Sequence, residues 1–299
     1  MIRQVVYVMS LNFSGSTILS FALSLLRGGY FVGEPALIFR RSGSGYKHSK
    51  FCTPCKAREA SHECPIWGDE VIEALRLNPG SYWSTLAARL PEDRSLIIDA
   101  SKDLGWIRNQ LPSSIEPCII HISKSPHAWI ASLKRKNQIQ FPLEFYALLW
   151  ADSLEKIRKF STDHGIKYLY LEYESLVGDF AGTMGKIARH LGREWRSGRV
   201  VNLTDFHYVK GNPGVNKRVE GESAIDLSKD LVLDTSWKQV LSDSDMDRIY
   251  GIRRIRDLAR QYNRYPSDMF TGAPSGSTLS IAYSKLLYRA YQLFKGHRS

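Results

Sequence analysis

The chain has 299 residues, of which 43% are apolar and 24% charged. That balance excludes a globally disordered chain, and the length suits one large α/β domain or two small ones. Lys and Arg outnumber Asp and Glu by 41 to 30, a net charge of +11 that favours anionic partners. There is no basic run with interleaved aromatics, no zinc-finger spacing and no RNA-binding signature, so nucleic acid is not an expected partner.

Val5 to Leu26 is apolar, but Asn12, Ser14, Gly15, Ser16 and Thr17 interrupt it and no small-residue cleavage site follows. It reads as a buried strand, a polar turn and a buried helix rather than a leader or a membrane span. A cytoplasmic protein is the expectation, and four cysteines do not make a secreted disulfide framework. The first strand is Gln4 to Met9, a short β-branched run suited to a fully buried parallel strand. A turn over Ser10–Ser16 leads into a helix over Thr17–Leu26, stopped by Gly28 and Gly29. A brief strand, Tyr30–Val32, ends at Gly33, Glu34 and Pro35, and Arg40–Pro65 reads as irregular. Helices are expected around Asp69–Leu77 and Ser81–Arg89, a strand at Ser95–Ile98 and a helix over Asp103–Leu111. Pro117–Ile122 is the next strand, and Pro126 sits well in the first turn of the helix after it. Leu143–His164 is a long amphipathic helix, Lys167–Leu171 a strand and Ser175–Leu191 a helix closed by Gly192. Arg193–Asp234 reads mostly as loop, and Asp243–Asn263 as a last long helix.

Strands alternating with helices predict an α/β fold, a single domain over 1–270 with a central parallel sheet flanked by helices. Residues 271–299 read as a Gly/Pro/Ser linker followed by an amphipathic helix over 279–295. That helix either docks on the domain or on a second copy in a homodimer, or lies on a membrane surface. Ligands of parallel sheets bind at the carboxyl ends of the strands. Three such ends carry polar, glycine-bearing or basic residues: Ser10–Thr17, Asp99–Lys102 and Ser123–His127.

In the first, Phe13-Ser14-Gly15-Ser16-Thr17 joins strand to helix. Gly15 permits close backbone approach, the hydroxyls of Ser14, Ser16 and Thr17 are donors, and the helix amino terminus attracts an anion. This is a phosphate cradle without the Gly-Lys-Ser/Thr of a Walker loop, and by itself it could equally be a Ser/Gly turn capping a helix. In the third, Lys124 stands at the mouth of a strand and Ser132 lies eight residues on. A cation and a hydroxyl so placed can hold a second phosphate.

Together the two segments resemble the sulfotransferases that use 3′-phosphoadenosine 5′-phosphosulfate (PAPS). Phe13–Thr17 occupies their 5′-phosphosulfate motif, and Lys124-Ser-Pro-His127 with Ser132 matches the spacing of their 3′-phosphate motif. The likeness spans most of residues 1–265. Val32-Gly-Glu34, the segment Cys52…Cys55…Cys64-Pro-Ile-Trp67 and Ile98-Asp-Ala-Ser-Lys102 are similar to a bacterial branch. Leu171-Glu-Tyr-Glu-Ser-Leu176, Leu191-Gly192, and His207 with Gly211-Asn-Pro213 and Trp237 are similar to later segments of the family. Phe13 stands where the family has Arg or Lys, Lys124 where it has Arg, and Ser125 and His127 where it has Asp and Arg.

The resemblance implies a P-loop-like sulfotransferase fold and transfer of a sulfuryl group from PAPS to a hydroxyl or amine. Glu34, at the same sheet edge as the loop, is the expected base for the acceptor proton, with Asp99 and Asp103 as rival carboxylates. Lys102 is expected to neutralise the leaving oxygens. Lys124 and Ser132 are expected at the 3′-phosphate, and Gly211, Asn212 and Arg218 in a loop over the nucleotide. The acceptor stays open among small molecules, glycans, lipids and peptides. Two other classes stay open as well: a small-molecule kinase, which the missing loop lysine disfavours, and a non-catalytic nucleotide-binding or membrane-surface protein. Cys52, Cys55, His62 and Cys64 have the residue types for zinc, but no further Cys or His pair completes the set. No metal is therefore assigned, and free thiols or one disulfide are the expected state.

Overall fold

The computed structural model describes residues 2–39, 52–57, 63–111, 114–195, 197–203, 206–210, 224–262, 282, 284, 286–289 and 291. They fall into two compact units. The first comprises Met1–Ser10, Gly15–Ile122 and Ser161–Val232, and the second Leu11–Ser14, Ser123–Phe160 and Leu233–Ser299.

The first unit is built on strands β1 (Gln4–Met9), β2 (Gly29–Gly33), β3 (Leu96–Asp99), β4 (Glu116–Ser123) and β5 (Lys167–Glu172), in the order β2-β3-β1-β4-β5. Strand β1 runs parallel to β3 and β4, with Gln4 level with Leu96 and with Glu116, and β3 runs parallel to β2. Strands β1, β2 and β3 are buried along their whole length. That is why they read as unbroken apolar runs rather than as alternating patterns. His121, inside β4, is buried, and burial pushes its pKa down to about 3, so it is a neutral core residue bonded to the Tyr168 hydroxyl at 3.0 Å. The expected α/β architecture, a parallel sheet flanked by helices, is the one found.

The departures from expectation are local. The helix after β1 is Ser16–Leu23. Beyond it the turns tighten, with Leu25 and Leu26 donating to the carbonyls three residues back, and Leu26 bridges to Trp195. The helix expected over Ser175–Leu191 is two, Tyr173–Gly178 and Phe180–Leu191. Asp179 breaks it by accepting from the Gly182 amide at 2.8 Å, an N-cap in mid-pattern. The supposed loop of 193–234 contains an antiparallel pair, β6 (Val200–Asn202) and β7 (Ala224–Asp226), and the helix Leu227–Asp230. Within the stretch read as irregular, Thr53–Ala57 is helical.

The second unit is helical among its described residues: Pro126–Arg135, most of Leu143–Asp163, Trp237–Val240, Asp243–Tyr250 and Arg253–Gln261. The last two replace the single helix expected over Asp243–Asn263. Arg256 satisfies the interrupted carbonyls of Tyr250 and Gly251 at 2.6 and 3.1 Å. Buried Glu144 accepts two bonds from Arg248 at 3.0 and 2.9 Å, tying two helices together. Within the expected carboxyl-terminal helix, residues 282, 284, 286–289 and 291 are helical. Tyr288 and Tyr291 pack on Phe145, each at 5.4 Å between ring centroids, and the Tyr288 hydroxyl donates to Asp152 at 2.5 Å. The preceding linker lies outside the described residues. No helix among the described residues is long and apolar enough to cross a membrane.

Candidate active site

In the first unit the order β2-β3-β1-β4-β5 makes β1 the strand at which the chain changes direction across the sheet, where such folds bind ligands. The segment after β1 has Gly15 as N-cap of the helix Ser16–Leu23, at φ 87°. A Cβ on Gly15 would stand 2.4 Å from the Tyr173 ring, so both the left-handed backbone and the close approach require glycine. Glycine has no side chain to cap the helix, and the first turn has no acidic residue. The amide dipoles of that turn therefore have no acidic side chain of the helix's own first turn to meet them. Ser16 and Thr17 are buried there, and the buried Ser10 hydroxyl has no hydrogen-bond partner among the described residues.

Glu34 follows β2 and Lys102 follows β3, the neighbouring strand. Their side chains form an ion pair at 3.3 Å, with 17% and 16% of their respective surfaces exposed. Lys102 has φ 56°, an uncommon backbone for a residue with a Cβ, and such strain is concentrated at functional positions. Glu34 is set by its backbone: its amide donates to the Val209 carbonyl at 2.7 Å, and the Val209 amide donates to Val32 at 3.0 Å. Gly33, at φ 85°, leaves room for Val209, since a Cβ there would lie 2.2 Å from the Val209 oxygen.

The two rival carboxylates are engaged in structure. Asp103 caps the helix Leu104–Asn109 by accepting from the Trp106 amide at 3.0 Å. Asp99 is 1% exposed and accepts from the Ser101 amide at 2.7 Å and the Trp106 indole at 2.8 Å. Burial pushes its pKa up to about 6 against those bonds, with Glu34 adding to the rise. A carboxyl whose pKa is higher folded than unfolded binds more protons when folded, so stability declines as pH rises between about 4 and 6. The decline is expected to be on the order of 3 kcal/mol for a shift of that size. Urea titrations across that window should show it in the wild type and a flatter profile in Asp99→Asn.

In the second unit, the segment Leu11–Ser14 is fixed on the helix Pro126–Arg135 by the Trp129 indole, which donates to the Asn12 carbonyl at 2.8 Å. Phe13 has φ 66°, and the Lys136 ammonium stands 5.2 Å above its ring. A cation is thus held at this position although the residue itself is not basic. Lys124 is buried, 3.5 Å from the Ser132 hydroxyl and 3.9 Å from Asp234. Its carbonyl accepts from the Trp150 indole at 2.9 Å, which fixes the end of β4. Asp234 also pairs with Arg135. Burial pushes the Asp234 carboxyl up, but Ser236, Arg135 and Lys124 outweigh it and hold its pKa below the ordinary value. His127, where the related motif has Arg, bonds Ser125 at 3.2 Å and the Tyr250 hydroxyl at 2.7 Å and packs edge-on to Trp237.

Of the sequence-predicted residues, Gly15, Ser16 and Thr17 meet at one helix terminus, Glu34 pairs with Lys102, and Lys124 pairs with Ser132. Asn212 and Arg218, with Gly211, lie outside the described residues, as does His62. Sequence reasoning missed Tyr173 against Gly15, Asp234 beside Lys124, and Lys136 over Phe13. Only the last left a signal, a lysine one residue past the helix that follows Lys124.

No protein-family model matches the sequence, and no curated protein sequence matches it. Solved structures do match. A sulfotransferase domain from the curacin biosynthetic pathway superposes with a TM-score of 0.54 at 15% identity, covering 88% of this chain and 99% of that one. The sulfotransferase domain of the olefin synthase of Synechococcus PCC 7002 gives 0.45 at 17% identity, over 88% and 96% of the two chains. Retinol dehydratase, solved with androsterone and the inactive cofactor PAP, gives 0.39 at 15% identity, over 89% and 84%. The fold is that of the sulfotransferases, a P-loop-like α/β sheet.

Proposed function

We propose that this chain is a sulfotransferase that takes its sulfuryl group from PAPS, with Glu34 as the base and Lys102 as its electrostatic partner. The observation that carries the reading is the half-buried Glu34–Lys102 pair at the carboxyl ends of β2 and β3, in the same unit as an uncapped helix terminus after β1. A carboxylate within reach of an acceptor hydroxyl takes its proton as the nucleophile forms. An ammonium beside it stabilises charge developing on oxygen, which is most of what transfer through a loose transition state requires.

The residues fit an anionic nucleotide. The amides at Gly15–Thr17, the buried hydroxyls of Ser14 and Ser16 and the Ser10 hydroxyl, which has no partner among the described residues, suit the 5′-phosphosulfate. Lys136 over Phe13 offsets the missing basic residue of that motif. Lys124 and Ser132 suit the 3′-phosphate, with Asp234 3.9 Å from the Lys124 ammonium as its counter-ion. When bound, PAPS supplies an activated sulfuryl group on a phosphate leaving group. Asn212 and Arg218 are proposed to close over the nucleotide, as the resemblance implies. The bacterial-branch character of the Val32-Gly33-Glu34 and cysteine-rich segments belongs to the same proposal, as does a cytoplasmic setting.

Calorimetric titration with 3′,5′-bisphosphoadenosine, AMP and ATP–Mg tests this reading. The bisphosphate is expected to bind far more tightly than AMP. Losing a charge-assisted bond costs ~1.5–3 kcal/mol, so Lys124→Ala should weaken the bisphosphate by roughly one to two orders of magnitude and leave AMP unchanged. Equal affinity for all three ligands would remove the donor assignment, and preference for ATP–Mg would point to a kinase.

A further inference from the structure

We propose that Cys52, Cys55, Cys64 and His207 bind a zinc ion in a tetrahedral, structural site of three thiolates and one imidazole. The three sulfurs converge on one ring nitrogen: His207 Nδ1 lies 3.2 Å from Cys55 Sγ, 3.3 Å from Cys64 Sγ and 3.7 Å from Cys52 Sγ. All four ligand atoms lie within 4.8 Å of one another. A tetrahedral zinc with Zn–S of about 2.3 Å and Zn–N of about 2.0 Å has ligand–ligand edges of roughly 3.5–3.8 Å. The cluster therefore needs only sub-ångström shifts to close on an ion.

Other uses of the cluster fit less well. None of the four cysteines of the chain is in a disulfide, and an odd number of sulfurs around one imidazole cannot pair off. Reactive cysteines sit in partly exposed positions, whereas Cys52, Cys55 and Cys64 are buried. Hard cations such as calcium or magnesium take oxygen ligands, whereas thiolate with imidazole selects zinc among the abundant divalent metals. No side of the set is open for a substrate water, since all four ligands come from the protein, as in structural sites.

The surrounding bonds hold the ligands in place, as the outer partners of metal ligands do. The Trp67 amide donates to Cys64 Sγ at 3.2 Å, and the Trp67 indole to the His207 carbonyl at 2.8 Å. The His207 amide donates to the Tyr30 hydroxyl at 2.9 Å. On either side of the cluster the chain is knitted to the end of β2: the Thr53 amide donates to the Tyr208 carbonyl at 2.9 Å, Cys52 bridges to Val209, and Val209 bridges to Gly33. An ion there would clip three segments together beside Gly33 and Glu34. Binding requires three thiolates and a neutral imidazole, so the cluster releases its protons to solvent.

The test is metal analysis of the full chain, purified under reducing conditions without added metal, followed by replacement of the metal with Co(II). The expected result is about one zinc per chain and, with Co(II), thiolate-to-metal charge-transfer bands with tetrahedral ligand-field absorption. Cys118→Ser, which alters the one cysteine outside the cluster, should keep the metal, and Cys64→Ala should lose it. His207→Cys offers four thiolates and should keep it, which separates ligation from folding. A wild-type chain with no stoichiometric zinc and no charge-transfer band on Co(II) addition would overturn the site. So would a disulfide among Cys52, Cys55 and Cys64 in the purified chain, or a folded Cys64→Ala variant that retains a full equivalent of zinc.

Discussion

Glu34→Gln is expected to lower kcat by ~10²–10⁴ while the affinity for 3′,5′-bisphosphoadenosine changes little, because a positioned general base contributes about that much to rate. Gln keeps the size of the side chain and an oxygen that Lys102 can still reach, so the segment after β2 stays where its backbone bonds to Val209 put it. What disappears is the ability to accept a proton. Lys102→Met gives the complementary result. It leaves the carboxylate but removes the ammonium 3.3 Å away, so turnover falls while the fold is kept. The two effects should be less than additive in the double variant, since each residue acts partly by fixing the other. Steady-state rates with saturating donor, alongside calorimetric donor affinities, check both. Wild-type turnover in Glu34→Gln would move the base elsewhere; Asp99 and Asp103, both engaged in structural hydrogen bonds, would then be poor successors.

Gly33→Ala is expected to be the most damaging small substitution for stability. Its Cβ would approach the backbone oxygen and nitrogen of Val209 to 2.2 and 2.5 Å, and neither is the movable end of a side chain. The left-handed backbone adds about 1–2 kcal/mol for any residue with a Cβ. Overpacking typically adds about 1–3 kcal/mol, and the two bonds linking Val209 to Val32 and Glu34 contribute about 1 kcal/mol each. A loss of roughly 4–7 kcal/mol follows, which should lower the melting temperature by on the order of 10 °C for a chain of this size. Calorimetry of the variant checks this, and a melting temperature within a degree or two of wild type would show that 206–210 can move away without cost.

Much of the first unit was legible because fully buried parallel strands announce themselves. Gln4–Met9 and Leu96–Asp99 have no alternative use for their apolar runs. Glu34, Lys102 and Lys124 could be singled out because each follows such a strand directly. What the sequence could not supply was adjacency. That Glu34 meets Lys102 depends on β2 lying next to β3, and that Lys124 meets Asp234 depends on chain 110 residues apart being brought together. The helix break at Asp179 was hidden because the apolar period continues through it, and only the side-chain cap reveals it. The three-residue strands β6 and β7 are too short to show any period. The fourth member of the cysteine cluster was hidden for the same reason as the ion pairs: His207 is 143 residues from Cys64, while the nearer His62 drew attention by proximity in sequence alone.

The strand order also governs how the chain reaches this state. The central strand β1 has no partner of its own until Leu96–Asp99 and Glu116–Ser123 have been made, because its neighbours are β3 and β4. At a synthesis rate of about 5–20 residues per second, the run Val5-Val6-Tyr7-Val8-Met9 waits for roughly 5–20 seconds with its backbone unpaired. It is β-branched, uncharged and without proline, the composition of segments that find the wrong partner when left exposed. The strand that leads into the Ser10–Thr17 segment in the folded protein is thus a hazard during folding. Added chaperone, which covers such a run while it waits, should raise soluble yield.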